Sequence, residues 1–218
     1  MINIERQQGL FIAIGKRLKR KINVYAVGGT AMVFHGLKDS TLDIDLVFEN
    51  KEDRQEFIET IKSLGYYYLD AQVVYKRNEN RPEMLTLGDE RFDLFVKDVV
   101  YFTFSEAMQA RAKQTHQFGD NFILKVADPL DIIIMKCATD RLKDLDDARS
   151  ILKNTNVNWD EIIKEAKNQM KLGKTRAIFE LGYFFEKLDN KFQIQIPKKA
   201  KDELWDLLED EKKSKAKK

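Results

Sequence analysis

The stretch Val24–Val47, VYAVGGTAMVFHGLKDSTLDIDLV, constrains this chain more than any other. Its residue types predict a strand, a two-glycine turn, a short helix over Thr30–His35, and a second strand over Leu42–Phe48. Strand side chains alternate faces, so Asp43 and Asp45 are expected to project together while Ile44 and Leu46 enter a core. Two parallel carboxylates repel unless a cation lies between them, and a divalent metal suits that place. Gly28 and Gly29 allow backbone N–H groups to approach a ligand closely just before a helix begins, and a helix N-terminus favours phosphate. Metal and polyphosphate held by one unit outline a phosphoryl-transfer site.

The rest of the chain sets the frame for that unit. At 218 residues, with 43% hydrophobic and 34% charged residues, it is sized for one globular domain or a small domain with an appendage. The 38 basic and 36 acidic residues leave a net charge of +2, so nucleic-acid binding would have to come from a local patch. The single Cys137 excludes an internal disulfide and fits a reducing cytosol. No apolar run is of membrane-spanning length, and MINIERQQGL lacks the order of a secretion signal, so cytoplasmic residence without a membrane partner is the expectation.

Along the chain, helical spacing over Ile4–Lys21 ends in the basic run Lys16–Lys21, and Glu52–Leu64 predicts an amphipathic helix stopped by Gly65. Tyr66–Leu69, Gln72–Lys76, Met84–Leu87 and Arg91–Val96 read as strands, and Arg77–Pro82 as a turn. Asp93 sits between Phe92 and Leu94; beside two carboxylates on an earlier strand of one sheet, it is expected to face a ligand. A helix over Ser105–Lys113, a loop over Thr115–Asp120 and a strand over Phe122–Val126 follow. Asp128-Pro129 then opens a helix expected to run to about Leu152, and helices over Asn158–Met170, Thr175–Leu188 and Ala200–Leu208 complete the chain. The expected organisation is an α/β core over 1–127, a helical region over 128–210 and a disordered basic tail over 211–218.

Gly28-Gly29, thirteen residues, Asp43-Ile44-Asp45-Leu46, and a later strand of the form apolar-Asp-apolar at Asp93 together resemble the DNA polymerase beta-like nucleotidyltransferase superfamily. The helical motif Asp131, Lys136, Ala138, Arg141, Asp144, Asp147 is similar to that of the AbiEii-type members, which include toxins of toxin–antitoxin systems. The chain has Gly-Gly-Thr where many minimal members have Gly-Ser, so the phosphate contact of that serine falls to Thr30 or is missing.

The resemblance implies an α+β fold: a small mixed β-sheet nucleotidyltransferase core flanked by helices and followed by a C-terminal helical region. It implies transfer of an NMP from an NTP such as ATP to a tRNA end or a protein, with pyrophosphate released and an antitoxin as a further partner. Asp43, Asp45 and Asp93 would be the catalytic metal ligands, holding one or two Mg2+ or Mn2+ ions. Gly28, Gly29, Thr30, Lys136 and Arg141 would bind phosphate. Magnesium prefers oxygen ligands, and no His or Cys cluster points to zinc. A lysine among Ile132–Met135 is expected to need a partner, while Arg141 and Asp144 suit a surface ion pair equally well. The alternatives are a non-catalytic nucleotide- or partner-binding module on the same scaffold, and an RNA-binding protein using Lys16–Lys21 and the tail.

Overall fold

A computed structural model describes residues 1–75, 80–139 and 141–215. The elements in order are β1 (Ile2–Asn3), α1 (Ile4–Gly15), β2 (Ile22–Ala26), α2 (Gly28–Phe34), β3 (Ser40–Thr41), β4 (Ile44–Phe48) and α3 (Lys51–Lys62). There follow β5 (Tyr67–Leu69), α4 (Gln72–Tyr75), β6 (Glu83–Leu87), β7 (Glu90–Val96), β8 (Asp98–Val99), β9 (Phe102–Thr103) and α5 (Glu106–Arg111). The chain continues with β10 (Gln114–Phe118), β11 (Phe122–Val126), α6 (Pro129–Lys136), α7 (Leu142–Asn154), α8 (Trp159–Lys171), α9 (Thr175–Phe192) and α10 (Lys198–Lys215). The fold is α+β, as expected, and it divides into two compact units. One comprises Met1–Val100 with Phe104–Ile132, and the other Tyr101–Thr103 with Ile133–Lys218. Among the described residues no helix is long and apolar enough to cross a membrane.

The first unit is built on a mixed sheet in the order β10-β11-β2-β4-β7-β6-β5. The pairs β11–β2 and β4–β7 are parallel, and the rest of that path is antiparallel. One face carries Ile44, Leu46 and Phe48 of β4 in register with Phe92, Leu94 and Val96 of β7. Phe57 of α3 closes that face, its ring 5.3 Å from Phe48, 5.7 Å from Phe92 and 5.7 Å from Phe122. Phe11 of α1 joins it at 5.2 Å from Phe122. These rings are fully buried, each contributing about 1.5–3 kcal/mol of apolar transfer. The apolar residues of α1 and α3 thus fix which side of the sheet is core, and so which side is left for Asp45 and Asp93.

Three expected elements differ. Gln72–Lys76 was expected as a strand from its β-branched residues, yet Gln72–Tyr75 is a helical turn. Asp70 Oδ1 accepts from the Gln72 amide at 2.9 Å, and that local bond starts the turn. Thr115–Asp120 was expected as a loop, yet Gln114–Phe118 is the edge strand β10, paired antiparallel with β11 around a turn at Gly119 (φ +64°). An edge strand tolerates Gln114, Thr115 and Gln117, so its polarity hides it; His116 and Phe118 pack on Phe34. His35 carries no sign of chemistry, its Nε2 lying 2.9 Å from the Ala127 carbonyl oxygen.

The expected helix from Asp128 to Leu152 is two helices, α6 and α7. The Thr139 hydroxyl hydrogen-bonds the Asp144 carboxylate and Arg141 takes an extended backbone (φ −105°, ψ 138°), so a new helix starts at Leu142. The motif from Asp131 to Asp147 therefore spans two helices, with Lys136 at the end of α6 and Arg141 just before α7. Lys76 of the expected strand, residues 77–79 of the expected turn, Asp140 and the last three residues lie outside the described residues. α10 runs to Lys215, into the stretch whose composition argues for disorder, with Lys213 and Glu209 paired one turn apart.

The second unit packs α7 to α10 around Ile151, Ile163, Ala166, Leu181, Phe185, Leu188 and Leu204. Gln169 of α8 holds Thr103 at both backbone atoms, accepting from its N–H at 3.0 Å and donating to its carbonyl at 2.7 Å.

Candidate functional site

The parallel pairing of β4 with β7 places Asp45 directly opposite Asp93. Both are on the face away from Phe57, because they alternate with Ile44, Leu46, Phe92 and Leu94. Asp43 lies on the two-residue bend between β3 and β4, so strand alternation does not by itself account for its position. The tertiary fold nevertheless brings one carboxylate oxygen from each of Asp43, Asp45 and Asp93 within 4.8 Å of one another. Asp93 is fully buried, Asp43 is buried and Asp45 half-buried.

The glycine turn lies against these carboxylates. Gly28 has φ +55°, and a Cβ there would sit 2.6 Å from Asp45 Oδ2. A Cβ on Gly29 would collide with Thr41 Oγ1. Neither position has room for a side chain, which is the physical reason for two glycines here. Thr30 Oγ1 accepts from the Asp45 amide at 2.8 Å, and the Val27 amide donates to the Asp45 carbonyl at 3.1 Å. Thr30 is fully buried, and it anchors the aspartate strand to α2. Thr41 donates to Asp43 Oδ1 at 3.4 Å.

Two further side chains complete the cluster, and the sequence reading passed over both. Arg91, two residues before Asp93 on β7, donates from Nε to Asp93 Oδ1 at 2.7 Å and from Nη2 to Asp93 Oδ2 at 3.2 Å. The same Nη2 hydrogen-bonds Asp43 Oδ2. Tyr75 donates from its hydroxyl to Asp93 Oδ2 at 2.7 Å. Arg91 had a signal available, the strand parity it shares with Asp93; Tyr75 had none, because its stretch was expected to be a strand.

Burial pushes the Asp93 carboxyl above its ordinary range; Arg91 opposes this and the nearby Asp43 charge adds to it. Burial and the surrounding carboxylates push the Tyr75 hydroxyl well up. Arg91 is held above its usual value despite its burial, because Asp93 and Asp43 favour the charged form. The three carboxylates fit a divalent cation: the donors are all oxygen, they converge, and a guanidinium already bridges two of them as a cation.

Lys136 and Arg141 lie in the second unit. Lys136 Nζ is 3.0 Å from Asp144 Oδ1 and 2.6 Å from Asp147 Oδ2. Arg141 Nε is 2.8 Å from Asp144 Oδ2. The buried lysine thus has the partners its apolar surroundings require. Burial on its own raises the Asp144 carboxyl, but Lys136, Arg141 and Thr139 outweigh it and hold the group below its ordinary value. Folded Asp144 therefore binds its proton less tightly than the unfolded side chain. Its stabilisation is fully present above the ordinary carboxylate range and is lost as pH falls through the lowered value. Both tryptophans, Trp159 and Trp205, report on this unit. Acid titration of their fluorescence is expected to show that loss below about pH 4. Asp144→Asn is expected to flatten it, whereas an unchanged acid transition would contradict the assignment.

No protein-family model matches the chain, and no curated protein is found to match it. A crystal structure of ANT(2")-Ia in complex with adenylyl-2"-tobramycin is similar at 16% identity, over 83% of this chain and 98% of that one, with a TM-score of 0.45. That likeness concerns the course of the backbone and assigns no residue a role.

Proposed function

We propose that this chain is a metal-dependent nucleotidyltransferase that moves an NMP from an NTP to an acceptor hydroxyl. The observation that carries the reading is the register of Asp45 with Asp93, with Asp43 converging on them beside a turn that admits only glycine. Asp43, Asp45 and Asp93 would hold Mg2+ or Mn2+. Bound there, the ion would supply activation of the attacking oxygen and neutralisation of charge on the leaving pyrophosphate.

The chain's own residues then have distinct tasks. Asp93 accepts the acceptor hydroxyl's proton as its oxygen bonds to the α-phosphorus, and the bond from that phosphorus to the β-phosphate bridging oxygen breaks to release pyrophosphate. Gly28 and Gly29 allow the backbone to approach the triphosphate, and Thr30 keeps Asp45 in place through its amide. Lys136 and Arg141, engaged with Asp144 and Asp147, serve in this reading to hold the second unit together. The acceptor we propose is a tRNA end or a protein side chain, following the AbiEii-type resemblance of the sequence, with a toxin silenced by an antitoxin as the corresponding biological role.

The test is a transfer assay with each labelled NTP, magnesium, and either total tRNA or protein. Label is expected on one acceptor class with magnesium and on neither after chelation. Calorimetry that detects no NTP binding with magnesium present would overturn the reading.

A further inference from the structure

The feature of this site that the transfer reading leaves unused is the Arg91 guanidinium. It forms a paired contact with both oxygens of Asp93 and reaches Asp43 through the same Nη2. Tyr75 takes a further position on Asp93 Oδ2. Both Asp93 oxygens are thereby engaged by chain donors. The carboxylates themselves are enclosed, with side-chain exposure of 0% for Asp93 and 10% for Asp43, whereas Arg91 keeps 20%. Arg91 is thus less enclosed than the two carboxylates it binds.

Electrostatics makes the two kinds of cation rivals. A guanidinium and a divalent ion among these oxygens repel each other at a few ångströms in a poorly screened setting and draw on the same lone pairs. A carboxylate oxygen that accepts a guanidinium N–H also has less negative charge to offer an ion. We propose that Arg91 is the resident counter-ion of the triad, competing with the divalent metal for Asp43 and Asp93 and so setting the metal affinity of the site. Asp43, Asp45 and Asp93 would hold the ion, and Asp43 and Asp93 would give up their Arg91 contacts to do so. The cost of enclosing Asp93 next to Asp43 and Asp45 is offset by Arg91 at all other times. The inference rests on the metal-binding half of the reading above, and not on transfer itself.

The experiment is a titration of the full chain with Mn2+ alone, following the electron paramagnetic resonance signal of the free ion. Arg91→Gln is expected to bind Mn2+ at least about tenfold more tightly than wild type, about 1.4 kcal/mol in binding free energy. Arg91→Lys, which keeps the charge, is expected to stay close to wild type, and separates competition from a general loosening of the site. Asp45→Ala is expected to weaken Mn2+ binding with or without Arg91→Gln, which locates the ion at the triad.

Native circular dichroism with Arg91→Gln binding Mn2+ no more tightly than wild type would overturn the counter-ion role and leave the metal site standing. Mn2+ affinity of Arg91→Gln that Asp45→Ala leaves unchanged would place the ion elsewhere and overturn it as well. No Mn2+ binding by any of these proteins would overturn the metal site, and this proposal with it.

Discussion

The Asp43→Ala, Asp45→Ala double variant is expected to transfer nucleotide at least about a thousandfold more slowly than wild type, a loss of about 4 kcal/mol of transition-state stabilisation. The size follows from what is removed. A metal stabilises developing charge on the phosphate by several kcal/mol only while its ligands hold it, and the double variant leaves Asp93 alone to do so. The fold is expected to survive. The Asp45 amide and carbonyl, which alanine keeps, bond Thr30 of α2 and the amide of Val27 that caps it, and Asp43 sits on a bend beside Thr41 and Arg91. Arg91 keeps its paired contact with Asp93. The measurement is a transfer assay beside wild type, with circular dichroism on the same preparations. A natively folded double variant that transfers at the wild-type rate would remove these residues from the chemistry.

Lys136→Ala is expected to destabilise the second unit by about 3–5 kcal/mol, the usual consequence of removing one partner from a buried ion pair. Lys136 is 9% exposed, and its ammonium lies between Asp144 and Asp147, of which Asp144 is fully buried. Without it, Asp144 keeps Arg141 and Thr139, while Asp147 loses its 2.6 Å partner in an enclosed setting. Urea unfolding followed by tryptophan fluorescence reads this unit specifically, since Trp159 and Trp205 both belong to it. A lower midpoint with NTP affinity unchanged is the expected result. An unchanged midpoint with weakened NTP binding would instead return Lys136 to the phosphate-binding role that the sequence motif implied for it.

These two expectations differ in how far the sequence carried them. Asp45, Asp93 and the double glycine are legible at telling intervals, because strand alternation and glycine's lack of a Cβ act within a few residues, whereas Asp43, expected on the same strand, lies on the bend before it. The amphipathic pattern of α1 and α3 was legible for the same reason. Polar edge strand β10 was not, since pairing with β11 confers order on a sequence with little local preference for it. The α4 turn was missed because one bond from Asp70 outweighed two β-branched residues. The break after Lys136 was hidden by an apolar run that suits a longer helix.

By itself, then, the sequence determined an α+β chain with three carboxylates and a glycine turn suited to a phosphorylated ligand. Only the tertiary structure decided that Asp45 and Asp93 stand opposite each other, that Arg91 and Tyr75 complete their cluster, and that Lys136 is enclosed between two carboxylates. The physical reason is range. Alternation, capping and glycine geometry are set by neighbours in the chain, whereas a cation's partners are set by strand register and burial, which bring together residues such as Asp43 and Arg91 that are 48 apart in sequence.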